Sequence, residues 1–402
     1  MSVRRAGAAR VLAAMVGAAM LAAGCASAAR PAAARAPRPV ALPLATSVAG
    51  DQATWAAVPM GTAGPNLFWQ LFVRPTGGTR WTLATPPDVA TNGAIALAAG
   101  GGNALVTGIH PSLLLAFSPI TSTPDGGHTW SAGAPDPGLA SVPDALAAAP
   151  DGGQLITLER DGRVDLGRPA ATGRPRLTTT AALARTPPGR ACRLSGLTAA
   201  AFSPAGAPLL AGQCARPGVV GVFADQGGAW HAAGPALPSS LSGQRIEVLR
   251  LVRSGSQLTA LLRAGTGRTA SLVAAWSATG RPWTLSAPLR LNGLAVQSSS
   301  FGRGALAVAL TGRRGALLTG PAAAWQSLPE LPAGRTVTLA LPAAHEVDAL
   351  AAAGSVLTAW QLHPARPAAG ATATSPPAGA FGPGTWTRAQ QTKVPIQYGS
   401  SS

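Results

Sequence analysis

Side chains able to do acid–base or metal chemistry are sparse in this 402-residue chain, which carries 14 acidic residues against 31 lysines and arginines. Hydrolysis by paired carboxylates needs two acids facing each other across a site. Asp88, Asp136, Asp144 and Asp161 are the candidates, and each also has the context of a residue that caps a turn or precedes a strand. The five histidines are scattered without metal-ligand spacing. No glycine-rich phosphate loop precedes a helix. The expectation is therefore no catalytic residue, no metal ligand and no cofactor. The chemistry that remains belongs to three cysteines: Cys25 near the N-terminus, and Cys192 and Cys214 in mid-chain.

The best-marked stretch is Thr123-Pro124-Asp125-Gly126-Gly127-His128-Thr129-Trp130. A tight turn leaves backbone N–H groups without partners, and an aspartate at its centre accepts from them. Gly126 and Gly127 permit positive φ. Thr129 and Trp130 suit the start of a strand, and Trp130 can cover a neighbouring sheet. Five of these residues, Thr123, Asp125, Gly127, Thr129 and Trp130, fill the positions of a Ser/Thr-x-Asp-x-Gly-x-Thr-Trp pattern. That pattern resembles the Asp-box, or BNR repeat, of sialidase-like β-propellers. A partial copy keeps Asp225, Gly227 and Trp230.

The resemblance implies an all-β propeller of four-stranded blades. It would also imply sialidase chemistry, which needs a tyrosine nucleophile partnered by a glutamate. The single tyrosine is Tyr398, beside the C-terminus, and none of Glu159, Glu247, Glu330 and Glu346 has a tyrosine near it in sequence. The resemblance thus covers fold and turn, and the family's catalytic positions have no counterparts.

From about residue 40 onward, short apolar, β-prone runs alternate with Gly, Pro, Asn and Asp, as in sandwiches, barrels and propellers. Tryptophans that close turns supply a period: Trp81, Trp130, Trp230, Trp283 and Trp325 are 49, 100, 53 and 42 residues apart. The long step reads as two units, one without its Trp. About 40–50 residues is the length of a four-stranded blade. Seven blades are expected over residues 40–402, with six or eight as the alternatives and an Ala/Pro/Gly-rich insertion at about residues 363–384. In the second unit, strands are expected near residues 94–98, 104–107, 113–117 and 130–132. In this register the Cys192 and Cys214 loops emerge on one face of the disc. A disulfide between them is expected, with a ligand in the central depression on that face.

Residues 1–24 read as an export signal: Arg4, Arg5 and Arg10 precede an apolar run over residues 11–23, too short to span a bilayer. The run ends in Leu21-Ala22-Ala23-Gly24-Cys25, which resembles a bacterial lipobox with its leucine one place early. The resemblance implies a palmitate-bearing lipoprotein, acylated on Cys25 and held on the extracytoplasmic side of the cell membrane. Residues 25–39, rich in Ala, Pro and Arg, read as a tether. The net charge of +17 is almost all arginine, but the expected register divides the arginines evenly between the two faces. Nucleic-acid binding calls for a one-sided basic footprint, so no nucleic acid is expected. The reading is a monomeric, non-enzymatic binding or scaffold protein of the cell envelope with a glycan or protein ligand. The alternative is a glycosidase or sialidase-like enzyme using acids on the propeller face.

Overall fold

A computed structural model describes residues 47–62, 67–86, 95–102, 104–109, 120–131, 143–168, 175–278, 281–302, 304–320, 323–334, 336–343, 346–364 and 384–395. All lie in one compact unit, Pro39–Ser402. They form seven consecutive antiparallel meanders. Unit 1 is β1 (Ser47–Ala49), β2 (Ala53–Gly61), β3 (Leu67–Pro75) and β4 (Thr82–Leu83). Unit 2 is β5 (Ile95–Ala99), β6 (Leu105–Ile109) and β7 (Ile120–Thr123); unit 3 is β8 (Ala145–Ala148), β9 (Leu155–Leu158), β10 (Arg163–Gly167) and β11 (Arg176–Thr179). Two short helices follow, α1 (Thr180–Ala184) and α2 (Pro187–Cys192). Unit 4 is β12 (Leu194–Phe202), β13 (Pro208–Cys214), β14 (Gly221–Gln226) and β15 (Ala229–Ala232). Unit 5 is β16 (Ile246–Ser254), β17 (Gln257–Ala264) and β18 (Ser271–Ala278), edged by β19 (Thr284–Leu285) and β20 (Leu289–Arg290). Unit 6 is β21 (Val296–Gly302), β22 (Ala305–Leu310), β23 (Arg314–Leu318) and β24 (Gln326–Ser327). Unit 7 is β25 (Thr338–Ala343), β26 (Glu346–Ala353), β27 (Val356–Pro364) and β28 (Gly384–Lys393).

The apolar runs have one physical reason: each sheet is buried on both faces. In β12, Ala199 and Ala201 join the cluster shared with unit 5, while Ala200 and Phe202 join the one shared with unit 3. In β18, Val273 and Ala275 turn toward unit 4 while Leu272, Ala274 and Trp276 turn toward unit 6. Side chains alternate along a strand, so a sheet packed on both faces needs apolar residues at every position. Seven such clusters join each unit to the next, and one of them joins unit 7 back to unit 1 through Phe72, Trp81, Leu350 and Leu357. The first strands neighbour one another around the middle, β1 beside β5, β5 beside β8, β8 beside β12 and β12 beside β16. This is the expected β-propeller.

The turn-closing tryptophans sit in those interfaces. The Trp283 indole N–H donates to the Ala233 carbonyl of unit 4 (2.8 Å), and that of Trp325 to the Ala287 carbonyl of unit 5 (2.9 Å). Trp386 points to Pro329 of unit 6 in the same way (3.4 Å). Each outer-strand Trp thus ties its unit to the one before it. Unit 3 has no such Trp, and its cluster with unit 2 rests on Ala98, Val106, Ile120, Ala148 and Leu155.

The strand expected near residues 113–117 lies outside the described residues, and the strand paired with β6 is β7 at Ile120–Thr123. Trp130 and Ser131 belong to no named strand, although the Ser131 N–H donates to the Ser122 carbonyl (2.8 Å). Helix α1 forms on the Ala/Leu run of Thr180–Ala184, and α2 follows it at Pro187–Cys192. Thr179 and Thr186 N-cap them through side-chain acceptors, and Pro187 starts the second.

Candidate functional site

The turn at Thr123 is held by its own side chains. Asp125 Oδ1 accepts from the Thr129 N–H (2.9 Å) and from Thr123 Oγ1 (2.8 Å), and Oδ2 accepts from Thr129 Oγ1 (2.6 Å). Thr123 Oγ1 accepts from the Gly127 N–H (2.9 Å). The donors of Thr129, with Thr123 adding to them, hold the Asp125 carboxyl far below the usual carboxylate range. Gly127 has φ +91°, and a Cβ there would meet the Ala84 Cβ at 2.8 Å, so the turn sits directly against unit 1. Trp130 meets Trp55 edge-on, with ring centroids 6.4 Å apart.

The partial copy at Asp225 is built differently. Asp225 pairs with Trp230 across β14 and β15, and Gly227 and Gly228 form a two-residue hairpin with φ +65° and +87°. Asp225 Oδ1 accepts from the Gly228 N–H (2.9 Å). Phe223 and Ala229 stand where the full motif has Thr123 and Thr129, so the hydroxyls that hold Asp125 have no counterparts here and the chain closes as a tight hairpin. Trp230 still packs into the interface between units 3 and 4.

Cys192 and Cys214 form a disulfide across 22 residues of sequence, tying the end of α2 to the end of β13. Both are buried among Leu183, Leu194 and Phe223. Cys25, Asp88, Asp136 and Tyr398 lie outside the described residues. Asp144 meets Arg160 (3.6 Å), and Asp161 Oδ1 accepts from the Arg163 N–H (2.9 Å). Three of the glutamates meet arginines: Glu247 with Arg263, Glu330 with Arg313 (2.8 Å) and Glu346 with Arg74 (2.6 Å). Burial holds the Glu247 carboxyl above its ordinary value against the pull of Arg263.

At the centre, the first strands of units 1 to 5 enclose a cavity of about 80 Å³, lined by Val48, Leu97, Ala147, Thr198 and Arg250 among others. Alanines on the inner strands leave this space. Thr198 Oγ1 reaches across to the Val248 carbonyl of unit 5. Burial lowers the Arg250 guanidinium to about 10. Ligand pockets run to roughly 300–1,000 Å³, so the depression expected to take the ligand has room only for a small group. On the side of units 6 and 7 the middle is closed by a parallel pairing of β1 with β21, where Ser47 Oγ donates to Ser300 Oγ (2.6 Å).

The larger concavity is at the seam where unit 7 meets unit 1, a groove of about 430 Å³ lined by Arg74, Thr79, Arg80, Gln361, Gln390 and Gln391. Beneath it, Arg74 spans the seam with its whole guanidinium. Nε donates to the Gly78 carbonyl (2.6 Å), Nη2 to Glu346 Oε1 (2.6 Å) and Nη1 to Asp348 Oδ2. The Trp81 indole N–H donates to the same Asp348 oxygen (2.8 Å), and Gln361 Nε2 donates to Glu346 Oε1. The Gln390 amide imitates a strand partner: Oε1 accepts from the Trp81 N–H and Nε2 donates to the Trp81 carbonyl, both at 2.8 Å. Within each unit the strands follow sequence order, and unit 7 is joined to unit 1 by these side chains, by Thr338 Oγ1 donating to the Ala57 carbonyl (2.9 Å), by the Gly61–Gly354 bridge and by their shared apolar cluster.

Sequence reasoning missed this cluster. Arg74 looks like a surface cation in sequence, and its partners lie 272 and 274 residues away. An Asp and a Glu two apart at the start of an apolar strand are the only local hint, since both then point to one face.

Fold and seam together define a β-propeller closed by polar side chains. No protein-family model matches the chain. No curated protein matches it either. Among solved structures it is similar to YCF48 from Cyanidioschyzon merolae, at 13% identity and TM-score 0.44 over 73% of this chain and 95% of that one. A structure of YCF48 bound to D1 peptide is similar at 15% identity and TM-score 0.43, covering 77% and 90%. The Swd1 β-propeller domain of Myceliophteria thermophila is similar at 13% identity and TM-score 0.44, covering 77% and 94%. Likeness at this level says nothing of this chain's own ligand, and the fold stands on its own topology.

Proposed function

We propose that the chain is an exported lipoprotein, tethered through acylated Cys25 and residues 25–39, that presents a seven-bladed, Asp-box-bearing propeller as a non-enzymatic binding scaffold of the cell envelope. The observation that carries this reading is the buried disulfide Cys192–Cys214. Such bridges persist in oxidising compartments, which agrees with the signal-like residues 1–24 and the lipobox-like stretch before Cys25. Asp144 and Asp161 are engaged by Arg160 and by a turn N–H, and the central cavity is small. Both favour a protein or glycan partner held on the outer surface over a substrate processed at the centre.

Fractionation tests the tether. An acyl chain contributes about 0.8 kcal/mol per buried CH₂, so Cys25→Ser should move the protein from the membrane to the soluble fraction. Unchanged fractionation defeats the lipoprotein reading. Pull-down from solubilised membranes tests the scaffold. Robust turnover of a glycoside, lost in Asp144→Asn or Asp161→Asn, would replace it with an enzymatic one.

A further inference from the structure

The seam carries more acid than its cation can match. Glu346 and Asp348 both bind Arg74. Asp348 is 2% exposed, and while Oδ2 takes two donors, Oδ1 is buried with no hydrogen-bond partner. The other groups around it are neutral: Trp81, Gln361 from β27 and Gln390 from β28. The remaining charged groups on these elements, Arg80, His363, Arg388 and Lys393, are exposed. One guanidinium shared by two carboxylates leaves an excess negative charge in a dry place, where charge without a partner is costly.

We propose that Asp348 is a buried proton-binding site at the closure of the ring, so that the seam tightens when it takes up a proton. A proton on Oδ1 leaves Oδ2 free to accept from Arg74 and Trp81. It leaves Glu346 as the sole counter-charge to Arg74. Burial, with a smaller push from Glu346, holds the Asp348 carboxyl above its ordinary value against the pull of Arg74 and Trp81, while the two carboxylates keep Arg74 charged against its own burial. The sign follows from linkage. An acid whose folded pKa exceeds its unfolded value binds its proton more tightly in the folded chain. Stability therefore rises as pH falls through the folded value and levels off below the unfolded value of about 3.9.

The experiment is thermal unfolding from pH 8 to pH 4 of the full chain, its Asp348→Asn variant and its Glu346→Gln variant. Asparagine can place its carbonyl where Oδ2 accepts and its amide where Oδ1 lies, mimicking the protonated acid. Asp348→Asn should melt at or above the native protein at pH 8. The native protein should then gain on it as pH falls, by about 2 °C for each unit by which the acid is raised. Glu346→Gln leaves Asp348 one-to-one with Arg74 and should lose the smaller part of that acid gain that Glu346 adds to burial, while keeping its stability at pH 8. Two results overturn the proposal. One is a native protein that leads Asp348→Asn at pH 8 and loses the lead in acid, which marks an ordinary ion pair. The other is a difference that does not change with pH. If Asp348→Asn does not fold, an acid gain in Glu346→Gln as large as the native one has the same force.

Discussion

Breaking the Cys192–Cys214 bridge should cost more than any single contact elsewhere in unit 4. The bridge closes a loop across 22 residues of sequence. In the chain-entropy model a loop of that length is worth about 3 kcal/mol at 25 °C, because the cross-link removes conformations from the unfolded chain. Cys192 ends α2 and Cys214 ends β13, so the bridge also pins α2 to unit 4, where it packs near β14 and β15. Both sulfurs are packed tightly: a Cβ on Gly221 would lie 3.0 Å from the Cys214 sulfur and 3.3 Å from that of Cys192. Cys192→Ala and Cys214→Ala should each lower the melting temperature by about 5 °C. The double variant should lose little more, because either change alone removes the cross-link and coupled residues do not add. The assay is thermal unfolding with and without reductant, together with mass spectrometry of the non-reduced tryptic digest. Reductant should move the native protein toward the double variant and leave the double variant unmoved. Native-like melting of Cys192→Ala without reductant, or both cysteine peptides found free, would refute the reasoning.

Three further outcomes follow from the interfaces. Trp283→Phe keeps a ring in the interface of units 4 and 5 but removes the donor to the Ala233 carbonyl; urea unfolding should show a loss of about 1 kcal/mol, and no loss would remove the stapling role. Gly127→Ala combines a strained φ with a Cβ 2.8 Å from Ala84, and should lower the melting temperature while Gly126→Ala, with nothing within 4 Å at the same kind of φ, lowers it less. Asp125 has its carboxyl depressed by the donors of Thr129. Its contribution is present above the unfolded value of about 3.9 and fades as pH falls. Asp125→Asn should therefore be less stable than the native protein at pH 7, with the two curves converging in acid; parallel curves would contradict the assignment.

Much of the architecture is readable in the order of residues. A strand such as Ser271–Ala278 is apolar at nearly every position, and its alternate residues fill two different interfaces. That double burial is what a propeller blade demands. Trp283 and Trp325 mark the period because each must reach back to the preceding unit. The turn at Asp125 is readable because its hydrogen bonds run between residues two to four apart. Asp225 keeps the same spacing to its Trp, with four residues between, but Phe223 and Ala229 stand where the full motif has Thr123 and Thr129, and its turn closes as a two-residue hairpin. The small central cavity was not readable, since it depends on how close the inner strands approach.

Sequence by itself determined the units and the aromatic staples between neighbours, because these rest on side-chain alternation and on contacts repeated at a fixed spacing. Only the tertiary structure decided how the ring closes. Arg74, Trp81, Glu346, Asp348 and Gln390 carry no pattern that joins them in sequence. They meet because closing the ring brings the last unit against the first, and a buried charge there must be satisfied by whatever polar groups that closure delivers.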